Sequence, residues 1–149
     1  FRASGPSDNQ EHIWRMTATG GNAEQVTDTG YNAGMDFSPD GESMVYQSHG
    51  GARFEVYVMS LSTGEVRRIT SGDGDHVSPR WSPDGSRIAF LSGTPRSRQL
   101  QVISAQGGAT TPLTSALGAV HSFDWRTDGK ALVYSLTAGS TTLWQVDLK

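Results

Sequence analysis

Few residues in this chain carry chemistry, so their spacing has to be read closely. Four histidines stand at His12, His49, His76 and His121. His76 lies five residues before Trp81 and His121 four before Trp125. Imidazoles at matching places in successive units can converge on a divalent metal or an anionic group. Three carboxylates, Asp40, Asp84 and Asp128, recur at steps of 44 residues. An acid–base pair needs its carboxyl groups about 5–10 Å apart around one substrate. Each of these instead precedes a glycine, which marks an Asx-type turn. Gly72-Asp73-Gly74-Asp75 looks like half of a calcium loop, but neither the further oxygen ligands nor the closing Glu follows. It reads as a Gly-Asp turn.

There is no cysteine, and therefore no disulfide, thiol nucleophile or Cys-based zinc site. No Gly-x-Ser-x-Gly elbow presents a serine nucleophile, and no glycine loop ahead of a helix cradles phosphate. The expectation is a protein with no catalytic residue, no metal and no cofactor. What remains is a set of candidate contact residues, Arg53, Arg96 and Arg98 with His49, His76 and His121.

The elements that position these residues are repeats. Phe37-Ser38-Pro39-Asp40-Gly41 returns as Trp81-Ser82-Pro83-Asp84-Gly85 and, altered, as Trp125-Arg126-Thr127-Asp128-Gly129, 44 residues apart each time. Apolar runs follow each turn in register: Met44-Val45-Tyr46, Ile88-Ala89-Phe90 and Leu132-Val133-Tyr134. Later runs at Val56–Met59, Leu100–Ile103 and Leu143–Val146 repeat as well, with Ile13–Met16 as an earlier copy. A threonine closes each unit: Thr27, Thr70 and Thr114.

Each unit reads as four short strands, A to D. Strand A ends at the aromatic. Pro39 and Pro83 preset φ, Asp40, Asp84 and Asp128 bond the backbone ahead of them, and Gly41, Gly85 and Gly129 accept positive φ. Strand B is apolar at successive positions, as a strand covered on both faces should be. Strand D, Val66-Arg67-Arg68-Ile69-Thr70, is more polar, as an outer edge should be. No segment has the periodicity of an amphipathic helix. Four strands in a period of about 40–50 residues is the pattern of a β-propeller blade. A β-sandwich would not explain the recurrence of one turn.

Composition agrees. Glycine is abundant at 18 residues, mostly at turns, and charged residues are only 18%. A net charge of −3 argues against electrostatic capture of nucleic acid. No apolar run is long enough to span a membrane.

The aromatic-Ser-Pro-Asp-Gly turn, the Ile-Ala-Phe and Val-Tyr-Val-Met strands and the closing Ile/Leu-Thr resemble the WD40-like Asp-Pro repeat of TolB-like β-propellers. Similar repeats form the propellers of prolyl-oligopeptidase-like serine peptidases and occur in oligogalacturonate lyases. The best copy runs from Pro79 to Thr114. The third departs from the pattern at Arg126-Thr127, and the Gly-His and Trp-Asp signatures of true WD40 repeats are absent.

The resemblance implies an all-β propeller segment of about three and a half blades: a partial blade over 1–28, blades over 34–70 and 78–114, and a partial blade over 121–149. Phe1–Ser4 reads as the tail of a strand B. Closed rings carry about four to eight blades, so the chain is expected to be part of a six- or seven-bladed ring. The remaining blades would come from a longer chain or, less favoured, from a second copy. The resemblance further implies a non-catalytic scaffold, periplasmic or secreted, that binds a protein or peptide through loops at one end of its channel. The alternatives are a gating propeller of a larger peptidase and, more weakly, a lyase-like channel metal site using His76 and His121.

Overall fold

The three aromatic-closed turns are built alike, and they set the architecture. In a computed structural model of the chain, which describes residues 2–4, 10–115, 118–138 and 141–148, Ser38 N donates to Ser43 O and Gly41 N to Ser38 O, at 2.9 and 2.8 Å. The same pair of bonds recurs from Ser82 and Gly85, and from Arg126 and Gly129. Gly41, Gly85 and Gly129 hold φ of 73°, 71° and 67°, a region where a Cβ would be strained. The third turn keeps this backbone without proline, because the glycine and the Asp128 carboxylate, which accepts Lys130 N at 3.0 Å, survive.

Each turn joins an inner strand to its antiparallel neighbour. The second sheet contains β4 (Tyr31–Phe37), β5 (Ser43–His49), β6 (Phe54–Ser60) and β7 (Val66–Arg68) in that order. The third repeats it with β8 (Asp75–Trp81), β9 (Arg87–Gly93), β10 (Gln99–Ser104) and β11 (Thr111–Pro112). The first sheet holds β1 (Arg2–Ser4), β2 (Glu11–Arg15) and β3 (Glu24–Gln25), and the fourth holds β12 (Ala119–Trp125), β13 (Ala131–Thr137) and β14 (Thr141–Asp147). β1 pairs with β2 as a strand B pairs with a strand C, Arg2 opposite Ile13. Phe1 and Lys149 lie outside the described residues. The chain is all-β: no helix occurs among the described residues, so none is long and apolar enough to cross a membrane.

The core lies between sheets. Val45, Val56, Val58 and Ile69 of the second sheet pack against Ile88, Phe90, Ile103 and Ala105 of the third. Val77, Ala89, Leu91, Leu100 and Val102 then present the third sheet's other face to Val120, Trp125 and Leu132 of the fourth. Ile88, Ala89, Phe90 and Leu91 are all fully buried, because strand B is covered on both sides. Ile13, Met44, Tyr46 and Met59 join the first and second sheets. This repeated face-to-face stacking is a partial β-propeller.

Each inner strand carries a bulge, at matching places in β4 and β8 and slightly nearer the strand start in β12. Register shifts fall between Ala33 and Asp36 in β4, between Val77 and Arg80 in β8, and between Val120 and Ser122 in β12. Gly34 and Ser78, 44 residues apart, both take positive φ there, 57° and 55°.

Candidate interaction face

In a four-stranded antiparallel meander the B–C and D–A connections emerge at one end, opposite the Asp-Gly turns. Arg53 ties two of them together in the second sheet. Its Nη1 donates to Gly72 O at 2.9 Å and to Asp73 Oδ1 at 3.0 Å, while Asp75 Oδ1 accepts Phe54 N at 3.1 Å. Gly72-Asp73-Gly74-Asp75 is thus a connection bonded to the loop beside it. The ring of Phe54 stands edge-on to Tyr31 and to His49, with centroids 5.9 and 5.0 Å apart. In the third sheet the turn Thr94–Ser97 closes through Ser97 N to Thr94 O at 2.9 Å and leaves Arg96 exposed. Arg98 is half-buried, and its carbonyl accepts Val120 N at 2.8 Å, joining third and fourth sheets.

His76 and His121 lie within inner strands and not in the connections. His76 is the second residue of β8, paired opposite Ser92, and only 4% of it is exposed. His121 lies within β12, exposed, with Nε2 2.8 Å from Thr137 Oγ1. The inner strands start earlier than expected because their ladders extend beyond the bulge toward this end. Of the six candidate contact residues, His49, Arg53, Arg96 and Arg98 lie at or beside the loops, His121 is exposed on an inner strand, and His76 is inside the joint between sheets.

That joint is what inspection of single residue types missed. Thr70 Oγ1 accepts Val56 N at 2.8 Å and donates to Glu55 Oε2 at 2.5 Å, and the same oxygen lies 2.8 Å from His76 Nδ1. His76 also meets Phe90 edge-on at 5.4 Å. One unit on, Thr114 Oγ1 accepts Leu100 N at 2.9 Å and donates to Gln99 Oε1 at 2.8 Å, while Gln99 Nε2 reaches Gly118 O at 2.8 Å. One unit back, Thr27 Oγ1 accepts Ile13 N at 2.9 Å. The threonine that closes each unit is a backbone cap, and Thr70 and Thr114 are also coupled to the next sheet, through Glu55 and Gln99. The repeating Thr27, Thr70 and Thr114 were the available signal.

Between the first and second sheets this end opens into a cleft of about 490 Å³. Tyr46 and Tyr57, stacked with centroids 5.8 Å apart and 24° between planes, form one wall. Asp28, Asn32, Ser48 and His49 are among the residues that line the rest. Burial, Tyr57 and Asp28 together push the Tyr46 hydroxyl up to about 12, so it stays protonated. Asn32 occupies the place of His76, and its amide donates to Thr29 O and Gly30 O, at 2.8 and 2.9 Å, and at 3.4 Å to Glu11 O of the first sheet.

Among the described residues, no three His, Asp or Glu side chains come together as metal ligands. Asp40 and Asp84 each accept a serine hydroxyl and a backbone N–H within their own turns.

Comparison with solved structures agrees with this arrangement. A TolB from Acinetobacter baumannii is 28% identical, with a TM-score of 0.80, over 96% of this chain and 37% of its own. A protein described as a TolB from Agrobacterium tumefaciens gives 0.82 at 23% identity, over 96% of this chain and 55% of its own. A puromycin-hydrolysing peptidase of Mycobacterium tuberculosis shares the fold at 19% identity and TM-score 0.74, over 99% of this chain and 27% of its own. The chain thus spans about half or less of the length of these structures. The model of the TolB beta propeller domain matches residues 4–149. With its repeated turns, stacked sheets and threonine caps, the chain belongs to the TolB β-propeller domain family.

Proposed function

We propose that this propeller segment is a non-catalytic scaffold that binds a protein or peptide through the B–C and D–A connections at one end, in the periplasm or outside the cell. The observation that carries this reading is the bonding of Arg53 to Gly72 and Asp73, which fixes two connections as one surface. Exposed Arg96 stands on the neighbouring sheet at the same end. Loops held on a rigid scaffold are where binding residues concentrate. The basic side chains Arg53 and Arg96, with His49 and His121 as further contacts, suit a peptide that carries carboxylates. Arg98 supports its loop through its backbone. His76 belongs to the support, since its ring is enclosed between sheets. Further blades of the ring are the structural partners of the outer sheets.

Selection of a displayed random peptide library against the chain tests this. Enriched peptides should lose about tenfold in affinity on Arg53→Ala or Arg96→Ala, as desolvated arginine contacts do. Peptides indifferent to both substitutions, or hydrolysis of a peptide by the chain itself, would overturn the reading. The second outcome would favour a role within a peptidase.

A further inference from the structure

The cleft between the first and second sheets has a chemistry unlike that of the basic loops beside it. Its wall is the stacked pair Tyr46 and Tyr57, whose faces are electron-rich. Among the described lining residues Asp28 is the one carboxylate, and no lysine or arginine is present to neutralise it. Tyr46 lies close enough to Asp28 for the carboxylate to help keep its hydroxyl protonated. Asn32 and Ser48 are buried polar residues at the cleft, and the Asn32 amide is spent on the carbonyls of Thr29, Gly30 and, at 3.4 Å across the joint, Glu11. A volume of about 490 Å³ admits one long side chain with room to spare.

We propose that this cleft takes a guanidinium or ammonium group carried by a bound peptide, seated over Tyr46 and Tyr57 and paired with Asp28. Aromatic faces attract such cations, guanidinium most often, and a nearby carboxylate adds a direct charge pair. Two properties of the joint produce the site. The position that holds His76 between the second and third sheets holds the smaller Asn32 here, and the aromatic at the Phe90 position, Tyr46, mostly buried, reaches the cleft beside the more exposed Tyr57. That aromatic is also a tyrosine instead of a phenylalanine. The inference rests on this end being a contact surface, and it adds a basic anchor to a peptide that otherwise meets arginines.

The test uses the whole chain with N-acetyl-arginine amide and its neutral isostere N-acetyl-citrulline amide, followed by NMR shifts of the tyrosine ring protons. The arginine derivative should bind in the millimolar range, moving Tyr46 and Tyr57 resonances, with citrulline about tenfold weaker. Asp28→Asn, at an exposed position that leaves the fold intact, should abolish that difference. Equal binding of both derivatives, no response to arginine, or unchanged discrimination in Asp28→Asn would each overturn the proposal. A response to a neutral sugar in place of arginine would overturn it too. If selected peptides depend on Arg53 and Arg96 but tolerate arginine-to-citrulline exchange, only the cleft inference fails. If arginine binds here but no peptide depends on the loops, only the wider reading fails.

Discussion

His76 Nδ1 donates to Glu55 Oε2 at 2.8 Å, across the joint between the second and third sheets. The two side chains are 5% and 13% exposed, so water replaces this bond poorly. Glu55→Ala would leave both His76 and the Thr70 hydroxyl without their acceptor, and should cost about 3 kcal/mol in urea unfolding. Glu55→Gln should cost about 1 kcal/mol or less, because Gln99 already performs this task in the third sheet without a charge, accepting Thr114 Oγ1 at 2.8 Å. Equal losses for the two variants would show that the carboxylate matters through its charge and not as an acceptor.

The same joint marks how far the residues alone carry the reading. Pro39-Asp40-Gly41 and Pro83-Asp84-Gly85 act within their own turns, so local turn chemistry reveals them, and with them the strand ends, the period and the fold. The joint is non-local. Its inner-strand position is Asn32, His76 or Val120, and the position beside the capped strand is His12, Glu55 or Gln99. Because residue type changes from unit to unit, His76 looks like an exposed loop histidine until its partner 21 residues earlier is placed against it. The cleft is hidden for a related reason, since its lining residues meet only across the joint between the first and second sheets.

The inner-strand bulge predicts an asymmetry between two matching residues. Ser78 holds φ of 55° while its N–H donates to Gln47 Oε1 at 2.6 Å. Ser78→Gly should therefore be neutral within about 1 kcal/mol, since relief of strain offsets the added chain entropy. Gly34→Ala should cost about 1–3 kcal/mol, because its Cβ would fall 2.7 Å from that same Gln47 oxygen and push it off Ser78. Chemical denaturation of both variants checks the pair. A Gly34→Ala protein as stable as the parent would mean that Gln47 does not hold the bulge.

The aromatic that ends each inner strand is one motif in the sequence but differs in depth. Trp125 is buried, its Nε1 donates to Arg80 O at 3.2 Å, and the Arg87 guanidinium lies 5.4 Å from its ring centroid. Phe37 is 55% exposed, beside the first sheet. Trp125→Ala should cost about 3–5 kcal/mol and Phe37→Ala less than about 1 kcal/mol. Comparable losses in thermal unfolding would mean that Phe37 is covered in the protein as it is assembled.

The Asp84 carboxylate predicts an acid limb for stability. It accepts Ser82 Oγ at 2.6 Å, Ser86 N at 3.0 Å and Ser86 Oγ at 2.8 Å. The Ser82 hydroxyl first, then the Ser86 bonds, lower its pKa from 3.8 to about 2. A folded-state value below the unfolded one means that the unfolded chain takes up the proton first as pH falls. The contribution is therefore complete above about pH 4 and lost as pH falls through about 2. The group is exposed and water competes for it, which limits the effect to about 1 kcal/mol. Melting temperatures of the parent and of Asp84→Ala should differ by a constant amount from pH 7 to about 5 and converge between about 4 and 2. A gap that persists undiminished at the acid end would mean that Asp84 stabilises the turn by its shape, with no part played by its charge.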